Sequence, residues 1–425
     1  MNNFPIDWTS YSLKEICNPT DKYSFTGGPF GSNLKNEHYT ETGVRIIQLQ
    51  NIGDGVFLDS YKIYTSGEKA DELKSCNIYP GDLILAKMAE PVARACFVPN
   101  GTARYLMCSD GIRVSIDKDK FDSKYICYFI NSKFFRENAE KSSSGSTRLR
   151  ISLKELSKLP IHSPTLPEQK RIAEILTSVD DAIQATEKVI VQAKKVKQGL
   201  LQDLLTRGIG HKKFKKTEIG KIPESWRVAQ IQTILDALID CEHKTAPYVE
   251  DQNTYFVART NNIKDGNINW DNAKFTDYGS YKTWTKRGEP EIGDIMFTRE
   301  APAGEAALVP RNVKTCLGQR MVLLKPNKNI IMGEFLLSAL YSPRVNSKIK
   351  ARMIGTTVTR INMSDISKIP VPIPPLVEQD KIVKIVSEIE NSILENKKKF
   401  ASLYALKSGL MQDLLTGRVR VRGVA

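Results

Sequence analysis

One stretch of this chain occurs twice. Leu166 to Thr206 reads LPEQKRIAEILTSVDDAIQATEKVIVQAKKVKQGLLQDLLT, and Leu376 to Thr416 reads LVEQDKIVKIVSEIENSILENKKKFASLYALKSGLMQDLLT, displaced by 210 positions without a gap. Glu168-Gln169 falls on Glu378-Gln379, Lys197 on Lys407, and Leu204-Leu205-Thr206 on Leu414-Leu415-Thr416. The chain is therefore duplicated, and its fold must place the same long segment twice.

That segment reads as a helix. Thr165-Leu166-Pro167-Glu168 supplies an S/T-x-x-E capping box with Pro in the first turn. Behind it runs an apolar stripe, Ile172, Ile175/Leu176, Val179, Ala182/Ile183, Val189/Ile190, Ala193, Val196/Lys197, Leu200 and Leu204, close to a seven-residue repeat. About 40 residues at about 1.5 Å each make a rod of about 60 Å, which Gly208 and Gly210 allow the chain to leave. In the second copy Pro375 and Val377 replace Thr165 and Pro167. That helix lacks the box, which weakens the expectation for its first turn.

The segments between the helices also repeat, but only at landmarks. Trp8 parallels Trp226, Gly81-Asp82 parallels Gly293-Asp294, and Gly145 parallels Gly355, with the offset drifting from 218 to 212 to 210. Short β-rich runs such as Val44 to Leu49 and Asp82 to Leu85 alternate with Gly-rich turns, and one helical patch covers about Ser123 to Lys141. The expected fold is α+β. It has a globular domain at 1–161, a helical spacer at 162–208, a basic linker at 209–221, a second globular domain at 222–371, a second spacer at 372–416 and a tail at 417–425. The linker His211-Lys212-Lys213-Phe214-Lys215-Lys216 reads as a solvated connector, with phosphate contact as the alternative.

Faithful helices and divergent globes imply one scaffold serving two different targets. Each apolar stripe needs a partner, and each is the natural partner of the other. The path globe, helix, globe, helix makes them antiparallel, with a pseudo-two-fold axis between the halves and Ala425 near the first globe. The balance of 62 Lys+Arg against 48 Asp+Glu, formally +14, favours a polyanionic partner. Two basic globes on a fixed spacer suit the two half-sites of double-stranded DNA. No apolar run approaches the roughly 20 residues that span a bilayer, and Met1 to Pro5 opens no signal peptide, so a cytoplasmic protein is expected.

The residues also resemble a known family. Glu168-Gln169 opening the helix, Gly199 to Thr206 closing it, Glu218-Ile219-Gly220 with Ile222-Pro223 and Trp226 starting the next half, and Leu414-Leu415-Thr416-Gly417 are together similar to the specificity subunit of type I restriction–modification systems. The resemblance covers essentially the whole chain. It implies two target recognition domains that each read half of a bipartite asymmetric DNA sequence, and two helical regions acting as ruler and docking platform. It further implies two bound methyltransferase subunits, with motor-nuclease subunits joining for restriction. The competing readings are a stand-alone DNA-binding regulator or architectural protein, a nuclease, and a coiled-coil scaffold for proteins only.

Catalytic motifs are missing from the sequence, which fits a non-catalytic subunit without a cofactor. There is no G-x-x-x-x-G-K-[ST] loop, no N/D-P-P-F/Y tetrapeptide, and the four histidines share no spacing. Seven scattered cysteines without a C-x-x-C pair indicate neither a disulfide framework nor a zinc site. Cys241-Glu242-His243 is read as incidental.

Base readout needs paired donors or acceptors on a rigid edge. Gln48, Gln50 and Asn51, matched by Arg259, Asn261 and Asn262, are the first candidates, against the reading that these side chains satisfy turn backbone. Lys87, which falls on Arg299, and Arg94 form the second place, against plain surface solvation. Arg148, Arg150 and Arg360, with Ser146-Thr147 and Thr356-Thr357, form a loop before each helix, either gripping phosphates or connecting elements. Gly27 to Ser32 has no clear twin and is treated as a DNA-facing loop. Gly81-Asp82 and Gly293-Asp294 are expected as tight turns, and Trp8 and Trp226 as core anchors. The lysine-rich helix faces Lys194-Lys195-Val196-Lys197 and Lys397-Lys398-Lys399 are solvated surface or flank DNA between half-sites.

Overall fold

The computed structural model describes residues 4–88, 91–145, 148–241, 243–251 and 255–421. The chain divides into two units, Met1–Glu187 with Lys398–Ala425, and Lys188–Lys397. Both are α+β and both use one sheet plan. In the first, four antiparallel strands lie in the order Phe25–Gly27, Gly111–Val114, Leu83–Ala86 and Ala95–Phe97. In the second the order is Leu235–Asp240, Met321–Pro326, Ile295–Thr298 and Ala306–Leu308. A further sheet in each unit contains one parallel pair, Val44–Ile47 with Tyr105–Met107 and Tyr255–Ala258 with Thr315–Leu317.

The strand Leu83–Ala86 explains this two-layered plan. It carries no polar residue, so both of its faces must be covered. Side chains alternate across a strand. Leu83 and Leu85 enter the core shared with the helices, while Ile84 and Ala86 enter the core under the second sheet. In the second unit Ile295 and Phe297 face one core and Met296 the other. The preceding Gly-Asp pairs are the expected tight turns, with Gly81 at φ +88° and Gly293 at φ +95°. The buried Asp82 accepts from Tyr79 N at 3.0 Å and Arg113 Nε at 2.7 Å, and Asp294 accepts from Glu291 N at 2.9 Å and Lys325 Nζ at 3.0 Å.

The long helices span Leu166–Arg207 and Leu376–Leu414. They start at equivalent residues, so the missing capping box does not move the second start. The reason is tertiary. Gln169 Oε1 accepts from Asp122 N at 2.9 Å and its amide donates to the Lys120 and Pro164 carbonyls. Gln379 repeats this with Met332 N at 2.8 Å and the Ile330 and Pro374 carbonyls. Glu168 is not the capping residue its spacing predicts. Its carboxylate accepts from Arg420 Nε at 2.9 Å and Nη2 at 2.8 Å.

Within each unit the beginning of one long helix meets the end of the other, so the two run antiparallel there. In the first unit Lys407 pairs with Asp180 at 2.6 Å and Arg420 with Glu168. In the second, Lys197 pairs with Glu390 at 2.7 Å, and Glu378 accepts from Ile209 N and pairs with His211 Nε2, both at 2.9 Å. Ala425 lies outside the described residues, but Gly417 packs by Pro5 and Trp8, as the expected topology requires. The seam is narrower than the predicted stripe. Ile172, Leu176, Val179, Ile183 and Ile190 are buried, whereas Val189 and Val196 are about half exposed, at 49% and 48%. A strict two-in-seven seam buries only one residue per step, which leaves those neighbours in solvent.

Trp8 and Trp226 are core residues, as expected. The segment read as a connector holds a hairpin, Phe214–Thr217 with Gly220–Pro223, and Lys212, Lys213, Lys215 and Lys216 are exposed. No helix among the described residues is long and apolar enough to cross a membrane.

Candidate nucleic-acid interface

Two of the places picked from sequence form one rim in each unit. The strand Leu83–Ala86 runs out into Lys87, whose N–H donates to Asp110 O at 2.8 Å and whose carbonyl accepts from Ile151 N at 3.0 Å. Arg299 makes the same pair of bonds, to Arg320 O at 2.9 Å and from Ile361 N at 2.8 Å. Met88 then bridges Arg150, and Glu300 bridges Arg360. The hairpins turn at Gly145 (φ +107°) and Gly355 (φ +97°), where a Cβ would lie 2.5 Å from Arg148 O and 2.4 Å from Val358 O. Glycine is thus required for the turn that sets Arg150 beside Lys87 and Arg360 beside Arg299. Ser146 and Thr147 lie outside the described residues.

The rim is cationic and partly internally paired. Arg150 Nη2 is 2.6 Å from Asp110 Oδ1, and Arg299 Nη1 is 2.7 Å from Asp240 Oδ2. Arg148 and Arg360 are exposed, and Lys87 is half-buried. Such guanidinium and ammonium groups serve phosphate oxygens directly, and arginine also reads guanine edges. Asp240 also bears on the metal question. Its carboxylate, Cys241 and His243 have ligand atoms within 4.8 Å of one another. The carboxylate is already committed to Arg299, which fits the incidental reading. Glu242 lies outside the described residues.

The first place needs correction. The strand ends at Ile47, and a 3₁₀ turn covers Leu49–Asn51. Asn51 is fully buried; its Oδ1 accepts from Gln48 N at 3.0 Å and its Nδ2 donates to Leu58 O and Tyr61 O. Asn262 does the same in the second unit, accepting from Arg259 N and donating to Asn269 O. Both asparagines close turns and present nothing to a duplex. Arg94 is likewise turned inward, donating to Ile52 O at 2.5 Å and Leu49 O at 2.9 Å. Arg259 donates to Asn272 O and lies over the Tyr248 ring at 5.6 Å. Gln50 and Asn261 are exposed at the tip of these turns, and Gln48 is half-buried.

Sequence reasoning passed over the loop that joins the two places. Cys108 N donates to Ile47 O at 3.0 Å, so Cys108 to Asp110 runs from the first turn to the Lys87 rim. Its counterpart is Gly318 to Arg320, with Gly318 N donating to Ala258 O at 2.7 Å. At equivalent backbone positions one unit carries Ser109 and Asp110, the other Gln319 and Arg320. The signal was available, since the same 210 offset aligns them; Arg320 also holds φ +73°, uncommon for a side-chain-bearing residue. The Gly27 to Ser32 loop does have a topological twin. Gly27 pairs with Ile112 as Asp240 pairs with Val322. Gly28 is needed there because a Cβ would lie 1.7 Å from Cys108 O.

Residues 5–195 and 248–402 match the family model described as the type I restriction modification DNA specificity domain. The MjaVIII type I restriction enzyme specificity subunit of Methanocaldococcus jannaschii is 27% identical over 75% of this chain and 75% of its own length. The EcoBI type I restriction enzyme specificity subunit of Escherichia coli is 23% identical over 97% of this chain and 85% of its own. Among solved structures, the type I restriction–modification S subunit from M. genitalium shares the fold with a TM-score of 0.56 at 16% identity, covering 97% of both chains.

Proposed function

The chain belongs to the type I restriction–modification DNA specificity family, and from that premise we propose that its two units read two different half-sites of one bipartite DNA target. As a specificity subunit its part is recognition, with catalysis left to other subunits. Residues 1–161 and 222–371 serve as the target recognition domains. The long helices set the gap between half-sites and dock two methyltransferase subunits, through which motor-nuclease subunits join.

The observation that carries this reading is the rim. One backbone pattern presents Gln50, Ser109, Asp110 and Arg148 in one unit, and Asn261, Gln319, Arg320 and Val358 in the other. Equal scaffolds with unequal donors and acceptors suit unequal half-sites. Lys87 with Arg150, and Arg299 with Arg360, supply phosphate contacts that fix register.

The test is co-expression with the cognate methyltransferase, followed by genome-wide mapping of methylated adenines. The expected motif has two specified halves and a fixed unspecified gap. Exchanging Gln319 and Arg320 for Ala should relax one half and leave the other unchanged. Equal relaxation of both halves would contradict the assignment.

A further inference from the structure

The second unit contains a cavity that the first unit fills with its own side chain. In the first unit, Tyr128 on the helix Ser123–Ile130 points at the long helices. Its hydroxyl donates to Asp180 Oδ2 at 2.7 Å, and Lys407 Nζ sits 5.7 Å from the ring centroid and 2.6 Å from Asp180 Oδ1. A phenol is thus held between a cation over its face and a carboxylate at its hydroxyl.

The equivalent helix of the second unit is Gly333–Tyr341, and the residue at the Tyr128 position is Ser338. Its short side chain donates to Glu334 O at 2.9 Å, one turn back in its own helix. The cation and carboxylate are kept, as Lys197 and Glu390, 2.7 Å apart. Both line a cavity of about 460 Å³, together with Ser338, Tyr341, Val383 and Val386. Tyr341 does not refill the space left by Ser338. Its hydroxyl accepts from Ala306 N and donates towards Glu305, so the ring is tied to the sheet.

We propose that this cavity is a receptor for a tyrosine side chain presented by a partner polypeptide. The filled twin defines the chemistry: an aromatic face for the ammonium, a hydroxyl donor for the carboxylate and apolar contact for the ring edge. The source follows from the twin, where the ring that fills this space is a tyrosine carried on polypeptide main chain. A cavity of about 460 Å³ has room for such a ring together with flanking main chain. The two otherwise parallel units are thereby unequal towards a protein partner. The assignment stands on the cavity and does not depend on how DNA is read.

The experiment titrates the full chain with p-cresol, N-acetyl-tyrosine amide and N-acetyl-phenylalanine amide, followed by ligand-observed NMR and thermal shift. The wild type should bind one equivalent, with the tyrosine amide favoured over the phenylalanine amide by about threefold to tenfold, the worth of one hydrogen bond. Ser338→Tyr should abolish binding and raise the melting temperature, because it fills the cavity from within. Tyr128→Ser should open the twin and raise the stoichiometry to two. The Ser338→Tyr arm alone decides if Tyr128→Ser fails to fold. Absence of saturable binding to the wild type, or undiminished binding to Ser338→Tyr, overturns the site. Binding of p-cresol with exclusion of the tyrosine amide overturns the polypeptide source.

Discussion

Replacing Arg420 by Ala should destabilise the first unit through a residue far along the sequence from most of that unit. Arg420 makes two bonds to Asp7 at 2.8 Å each and two to Glu168 at 2.9 and 2.8 Å. The Asp7 side chain is 58% exposed, so that half of the contact contributes at most about 1 kcal/mol. The Glu168 side chain is only 5% exposed. Removing one partner of a buried ion pair costs about 3–5 kcal/mol. Arg420 is itself partly exposed and its loss admits water, which places the expected total near ~3 kcal/mol. For a unit of this size that lowers the melting temperature by roughly 6–12 °C. The pH dependence gives a second check. Hydrogen bonds from Arg420 hold the Glu168 carboxyl below the ordinary glutamate value of 4.5. A carboxyl depressed in the folded state contributes stability above its unfolded pKa and loses it as pH falls through the folded one. The gap between wild type and Arg420→Ala should therefore be constant near neutrality and narrow below about pH 4.5. Denaturant unfolding of the wild type, Arg420→Ala, Glu168→Gln and the double variant measures the coupling. A loss under 0.5 kcal/mol, or a gap independent of pH, would refute the clamp.

Three other outcomes follow from the same contacts. Gln379→Ala removes one acceptor and two donations at the start of the second long helix and should destabilise by about 2–3 kcal/mol, read by urea unfolding. Lys87→Ala should reduce the salt-dependence slope of DNA binding by about 1 without altering the motif, read by affinity across a salt series. All seven cysteines are free and buried, and burial pushes Cys17, Cys96, Cys127 and Cys316 up to about 12. A thiol-exchange reagent at pH 8 should label the folded chain far more slowly than the urea-unfolded chain, where all seven react.

Much of the fold was legible because duplication makes each half a control for the other. The helices, their direction within each unit, the Gly-Asp turns and the buried tryptophans all follow from residues that recur at matching offsets. The candidate site was legible only in part. Sequence shows that Asn51 and Asn262 carry amides at the end of a strand-like run, but which way an amide faces is decided by unmet backbone groups nearby, here Leu58 O and Asn269 O. Those groups become visible only when the loops are folded. Arg94 turns inward, and Arg259 folds back along the surface onto Asn272 O, for the same reason. Ser109, Asp110, Gln319 and Arg320 escaped notice because they lie between strands and match no motif.

The glutamate that opens each long helix shows what the repeat preserves. Its spacing from Thr165 suggested a cap, yet the second copy keeps Glu378 where the cap is gone. The shared role is to receive the chain as it leaves the opposite helix. Glu168 takes Arg420 and the N–H of Val421, while Glu378 takes the N–H of Ile209, His211 and the indole of Trp226. Each takes one backbone N–H of the departing chain, the side-chain donors differ, and the acceptor does not. A carboxylate with two oxygens can accept from any N–H brought within reach, so the acceptor can stay fixed while the donors change. The glycines that follow the helices obey the same constraint. A Cβ on Gly208 would lie 2.5 Å from Glu378 Oε1, and one on Gly417 would lie 2.4 Å from Pro5 Cγ. Identity between the copies therefore tracks close packing at the helix ends, and divergence tracks the exposed rim, where a side chain can change without disturbing either core.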